Sequence, residues 1–280
     1  MNSLQSTNPA RLHSLHITSA GPDRLVDFYQ RMLDMHAERC DCGIWTLEGP
    51  ARRLLVSEGP SSVLVAIAYA LPDAASLARL REGIEVRGGA TKEALSPYFG
   101  NDAFAVRDPQ QRQMIFGVPL ESDSTLQGAP GRLQHVVFQT TKLDEVVAFY
   151  TAVVGFTISD EVVGEDGKVM VCFMRSDDEH HSLAFFRGSR NEWDHHCYET
   201  PEWNSIRDWG DRFAKQRVPI FFGPGRHGPG NNLFFMVNDP DGNRLEFSAE
   251  LERVESDRPP GIWPHDEYTL NSWGRAWMRS

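Results

Sequence analysis

The sequence predicts an α+β protein of tandem strand–helix–strands units, paired two by two into two domains. Three observations carry this reading. A strand-like run at 12–19 is followed by Leu25, Phe28, Tyr29 and Met32 at helical spacing. The same order returns at 133–140, followed by Leu143, Val146, Val147 and Tyr150. The segment 106–116, with its Asp-Pro step, is echoed by 237–247 in the same place relative to each repeat. Two independent landmarks repeating in one order indicate internal duplication.

Taken along the chain, the first helix and its duplicate each carry a Phe-Tyr pair (Phe28-Tyr29 and Phe149-Tyr150), and Thr141 is placed to cap the second. The Asp-Pro steps fit turns between paired strands, because proline presets φ near −65°. In the second half a further unit opens at 195–199, and its helix starts at Thr200-Pro201, a cap followed by proline. Trp203, Ile206, Trp209 and Phe213 form the expected buried stripe of that helix. The Gly-Pro-rich run 222–230 reads as a loop, and a hairpin around Pro240 closes the unit. A polar stretch at 121–130 is the expected linker. The domains expected are thus 1–124 and 125–255, each of two units. A tail at 256–280, with Trp263, Trp273 and Trp277, is expected to cover the site or a subunit contact, since disordered tails rarely carry three tryptophans.

Composition narrows the function classes. A chain of 280 residues with 40% hydrophobic and 24% charged residues has the make-up of a globular protein large enough for two cores. A formal net charge of −11 argues against nucleic acid or an anionic membrane surface as partner. The start of the chain is polar and lacks a signal peptide's apolar run, and the apolar stretch 63–71 is too short to span a bilayer. Cytoplasmic location is the expectation. Cys40, Cys42, Cys172 and Cys197 lack the spacing of a disulfide framework or zinc site, so reduced thiols are expected.

The duplicated pattern, over about residues 10–250, resembles the vicinal oxygen chelate superfamily, in which βαβββ modules pair into a half-open barrel with metal in its mouth. That resemblance gives the histidines a geometry. His135 lies in the first strand of the third unit, in Leu-Gln-His-Val-Val-Phe, and His196 holds the equivalent place in the fourth, in Asp-His-His-Cys-Tyr-Glu. His195 competes with His196, and a slip of one residue reverses the facing; register with His135 selects His196. Glu246 lies in the last strand of the fourth unit, and an ionisable group facing a barrel interior is costly unless paired or ligating. Two neutral imidazoles and one carboxylate make the facial set of non-haem Fe(II) oxygenases. In the first half Ile115 stands where Glu246 stands, so His13, His16 and His36 are expected to hold no metal.

The likeness sharpens to the type I extradiol dioxygenases, which cleave catechols with O₂. It implies His180, with Ser182 two residues on, as acid/base, and His227 in Gly-Pro-Gly-Arg-His as hydrogen-bond donor to substrate. The sequence departs from the family where a tyrosine usually stands ten residues before the glutamate: Met236 is there, with Tyr198 or Asn231 as substitutes. Phe222 replaces the arginine that carboxylate-bearing substrates require, so an apolar-substituted catechol is expected. The resemblance further implies Fe(II), with Mn(II) as the alternative metal, and a homo-oligomer. Two other readings stay open: another metalloenzyme of the superfamily (glyoxalase, epimerase or 4-hydroxyphenylpyruvate dioxygenase-like), and a metal-free small-molecule-binding module.

Overall fold

In the computed structural model of the chain, residues 9–120 and 126–278 are described. Four βαβββ units follow one another. The first comprises β1 (Arg11–Ser19), α1 (Pro22–Leu33), β2 (His36–Arg39), β3 (Trp45–Gly49) and β4 (Arg52–Glu58); the second comprises β5 (Val63–Ala70), α2 (Ala74–Val86), β6 (Lys92–Glu93), β7 (Phe104–Arg107) and β8 (Gln113–Gly117). The third runs β9 (Arg132–Thr140), α3 (Leu143–Phe149), β10 (Thr157–Val163), β11 (Val169–Arg175) and β12 (Leu183–Arg187). The fourth runs β13 (Glu192–Thr200), α4 (Trp203–Lys215), β14 (Ile220–Arg226), β15 (Leu233–Asn238) and β16 (Arg244–Ala249). Beyond them lie β17 (Gly261–Pro264) and a short α5 (Glu267–Leu270).

Each pair of units shares one sheet, joined at its centre by the two opening strands. The orders are β2-β3-β4-β1-β5-β8-β7-β6 and β14-β15-β16-β13-β9-β12-β11-β10-β17. The expected boundary at 124/125 falls outside the described residues, as does 121–125 of the linker.

The repeated motifs tie the halves together reciprocally. Tyr29 of the first Phe-Tyr pair donates to Asp239 Oδ2 at 3.2 Å, in the Asp-Pro turn of the second half. Tyr150 of the second pair donates to Asp108 Oδ2 at 3.4 Å, in the matching turn of the first. Arg52, fully buried, donates to the carbonyls of Leu33 in its own half and of Ala129 and Gly131 across the junction. A buried cation is tolerated because carbonyl oxygens replace its water.

Several local expectations need correction. The fourth-unit helix begins at Trp203, after an extended Glu202, and Thr200 instead donates to the Ser248 carbonyl. Trp203 is 42% exposed, and only Ile206, Trp209 and Phe213 form the buried stripe; each such side chain contributes about 1.5–3 kcal/mol. Thr141 caps nothing: its amide donates to the Asn191 side chain, and α3 starts after Lys142. The run 222–230 is not all loop, since β14 continues irregularly to Arg226. Cys40 and Cys42 are joined in a disulfide rather than reduced. The turn between β2 and β3 brings their Cα atoms to 5.2 Å, within bridging reach, which spacing in the sequence does not reveal.

Candidate metal centre

Three neighbouring strands of the second sheet converge on one point. Cys197 of β13 pairs with His135 of β9 on one side and with Glu246 of β16 on the other. Side chains alternate along a strand, so His195, two residues before Cys197, shares their face. His196 and Tyr198 take the opposite face.

The hydrogen bonds of the imidazoles fix which nitrogen is bare. His135 Nδ1 lies 2.5 Å from Gln134 Oε1, whose amide nitrogen is committed to the His181 carbonyl. His195 Nδ1 lies 2.5 Å from Asp194 Oδ1, and His227 Nδ1 lies 2.5 Å from the Leu270 carbonyl. Each partner only accepts, so each Nδ1 carries the proton, and a neutral ring then has a lone pair on Nε2. Those three Nε2 atoms stand 3.9, 3.4 and 3.8 Å from the Glu246 carboxylate. Burial, followed by the neighbouring histidines His181, His195, His227 and His196, holds the pKa of His135 well below the usual value, so that ring is neutral. Lone pairs facing a carboxylate with 1% exposure repel one another unless a cation lies between them. The donor set therefore fits a metal cofactor, and acceptors on Nδ1 are the usual means of aiming ligand imidazoles.

The Cys197 Sγ also enters this cluster: the ligand atoms of His135, Cys197 and Glu246 lie within 4.8 Å of one another. Burial, then the charge of Glu246, pushes its thiol well up, so it stays protonated and donates to Ser248 Oγ at 3.2 Å. Asn232, fully buried, donates to Glu246 Oε1 at 3.2 Å and orients the carboxylate.

Around the cluster is a small cavity of about 30 Å³, partly open to solvent, whose apolar wall includes Val137, Phe173, Phe186, Pro229, Met236 and Leu270. Among the described residues no lysine or arginine lines it. Met236 pairs with Glu246 across β15–β16, and Phe222 pairs with Met236 from β14, packing behind it against Phe234. His227 stands at the mouth, stacked on Phe234 with ring centres 3.8 Å apart. The chain end closes this side, because Thr269 and Leu270 line the cavity while Gly228 N donates to the Thr269 carbonyl.

Against the sequence reading, His135, Glu246, His227 and Met236 come together here, and five other residues do not. His196 is fully buried on the far face, stacked on Trp193 and bonded to Tyr198 Oη at 3.2 Å; burial, then His195, lowers its pKa to about 3. His195 takes the place expected of it, because β13 carries irregularities after Trp193 and Cys197 that defeat register counting. His181, not His180, lines the cavity: β12 begins only at Leu183, so strand alternation does not reach back to them. Tyr198 packs on Phe247 in the core and cannot replace the missing tyrosine. Asn231 is exposed in a left-handed turn (φ 52°), and its neighbour Asn232 is the one that reaches the site. Phe222 lies behind the wall rather than in it. One signal for His195 was present in the sequence: an acceptor side chain precedes it (Asp194), as Gln134 precedes His135.

In the first half, register places Ser14, Ala68 and Ile115 where His135, Cys197 and Glu246 stand. Tyr98 and Phe99 pack with Ala68 and Ile115 in one apolar cluster.

Comparison with known proteins agrees with this architecture. Residues 132–247 match the family model described as Glyoxalase/Bleomycin resistance protein/Dioxygenase superfamily. A biphenyl-2,3-diol 1,2-dioxygenase of Metapseudomonas furukawaii is 29% identical over 89% of this chain and 88% of its own. The chain is similar to extradiol dioxygenases and shares the fold of the vicinal oxygen chelate superfamily. Metapyrocatechase 2 of Cupriavidus necator is 28% identical over 149 residues, and the match covers 52% of this chain but only 45% of that relative. The chain thus spans less than half the length of that metapyrocatechase. The crystal structure of homoprotocatechuate 2,3-dioxygenase from Arthrobacter globiformis superposes with a TM-score of 0.84 at 23% identity, covering 99% of this chain and 91% of its own. This family fold therefore extends over nearly the whole chain. Among the described residues no helix is long and apolar enough to cross a membrane.

Proposed function

We propose that this chain is an extradiol ring-cleaving dioxygenase whose iron is held by His135, His195 and Glu246, and whose substrate is a catechol with an apolar substituent. The observation that carries the reading is the set of bare Nε2 atoms gathered on one buried carboxylate. Fe(II) held there supplies a common binding point for O₂ and the two diol oxygens. The protein's own groups do the rest. His181 lines the cavity with its ring 4.5 Å from that of His135, well placed to take a proton from the diol. His227, with Nδ1 donating to Leu270, accepts at Nε2 when neutral and donates there only as imidazolium. This narrows the donor role implied by the family resemblance.

The substrate class follows from the wall. Phe173, Phe186, Val137, Met236 and Leu270 offer no partner to a carboxylate, and a buried unpaired charge is excluded by its desolvation cost. Relatives named for biphenyl-2,3-diol and 3-methylcatechol support the apolar substituent. The test is O₂ uptake after anaerobic loading with Fe(II), using 3-methylcatechol, biphenyl-2,3-diol and 3,4-dihydroxyphenylacetate. Uptake of one O₂ per diol with a yellow product, fastest on the first two, supports the reading. Preference for the carboxylate-bearing diol would refute the substrate class, and tight iron binding with no uptake on any diol would refute the reaction.

A further inference from the structure

Behind His181 lies a chain of buried polar groups that the ring-cleavage reading does not use. His181 Nδ1 is 2.9 Å from His180 Nδ1, and His180 Nε2 is 3.0 Å from Asp160 Oδ2. His180 is fully buried and Asp160 nearly so. Asp160 is held from the chain end: Trp263 Nε1 donates to Oδ2 at 2.7 Å, while the Gly261 amide and Arg258 each donate to Oδ1 at 3.0 Å. Gly261 permits that approach, since a Cβ there would lie 2.5 Å from Oδ1. Burial raises the Asp160 pKa, but its contacts with His180 and Trp263 and the charge of Arg258 together hold it below the usual carboxylate range.

We propose that His180 and Asp160 form a proton-holding pair that positions and recharges His181. The inference rests on the proposed role of the cavity in diol cleavage. An ionised carboxylate can only accept, so a proton on His180 Nε2 faces Asp160 Oδ2 at ion-pair distance, outside hydrogen-bond alignment, and leaves a lone pair at Nδ1. His181 then donates through Nδ1 and turns a bare Nε2 to the cavity. When the diol O–H bond breaks, its proton bonds to His181 Nε2. The Nδ1–H bond of His181 breaks in turn, and that proton bonds to His180 Nδ1. The net positive charge then rests on His180, 3.0 Å from Asp160 Oδ2. The reverse movement returns the proton to the product.

The experiment uses the full chain. In ¹⁵N-histidine-labelled, Zn(II)-loaded protein, His181 is expected to carry its proton on Nδ1 and none on Nε2. In the Fe(II)-loaded enzyme, Asp160→Asn is expected to lower kcat by about 10-fold or more, with KM for the diol and iron content unchanged. The pair has no such role if Asp160→Asn keeps the parent kcat, or if the resting proton sits on His181 Nε2. Should Asp160→Asn fail to fold, the tautomer measured in the parent protein decides. Absence of O₂ uptake by the parent on every diol would instead sink the ring-cleavage reading, and the tautomer would still report on the pair.

Discussion

Replacing His195 and His196 separately by alanine should give opposite phenotypes, although the residues are adjacent. His196 is a fully buried ring stacked on Trp193 and bonded to Tyr198, remote from the Glu246 carboxylate. Its removal leaves a cavity and an unpaired buried hydroxyl. Cavity formation at a ring of this size and loss of a buried partner together amount to about 3–4 kcal/mol. For a chain of this size that corresponds to a fall in Tm of roughly 6–12 °C, with metal binding retained in the folded fraction. His195, by contrast, points Nε2 at Glu246 from 3.4 Å and borders the open cavity. Its loss should leave Tm of the metal-free protein within a few degrees but weaken metal binding by at least about 100-fold, more than loss of an orienting partner costs. Anaerobic calorimetric titration with Fe(II), paired with thermal unfolding of the metal-free forms, reads both quantities. Retained affinity in His195→Ala together with lost affinity in His196→Ala would refute the assignment.

Asp194→Asn should weaken Fe(II) binding by about 10–100-fold without unfolding the chain, since it removes the charge that aims His195; the same titration measures it. Met236→Tyr places a phenol beside Glu246 at the family's position and is expected to raise kcat on 3-methylcatechol; an unchanged or lower rate in steady-state assays would mean the wall has no room for it. Truncation after residue 260 removes the Leu270 carbonyl that fixes His227 and opens the cavity, so KM for the diol should rise. Burial lifts the Asp239 carboxyl to about 6. A folded-state pKa above the unfolded value of 3.8 means the native state binds the extra proton, so this contribution is full below about pH 4 and is lost as pH rises through 6. The linkage is worth about 3 kcal/mol to order of magnitude. Urea unfolding at pH 5 and 7 should therefore show a smaller pH-dependent loss in Asp239→Asn than in the parent.

The duplicated architecture was legible because hydrophobic period and turn chemistry are local and repeat in order. His135, Glu246 and Met236 lie together as the sequence places them because regular strands carry them. In two histidine pairs the structure brings the neighbour of the expected residue to the cavity, His195 for His196 and His181 for His180, for a common physical reason. The facing of a side chain is inherited along a strand only while pairing is regular, and bulges flank His195 while His181 precedes its strand. Tyr198 lies on the far face with His196. The disulfide between Cys40 and Cys42 depended on a turn conformation that residue identities leave open. The pairing of Asp160 with His180 was hidden because it joins strand β10, the segment before β12 and the chain end, far apart in sequence.

The most direct test is an anomalous-difference map from a crystal of the Fe(II)-loaded chain. A single iron peak within bonding distance of His135 Nε2, His195 Nε2 and a Glu246 oxygen, with His181 near but unbound, is the predicted result. Iron bound through His196, or a cluster whose Nε2 atoms stay directed at Glu246 with iron elsewhere, would contradict it.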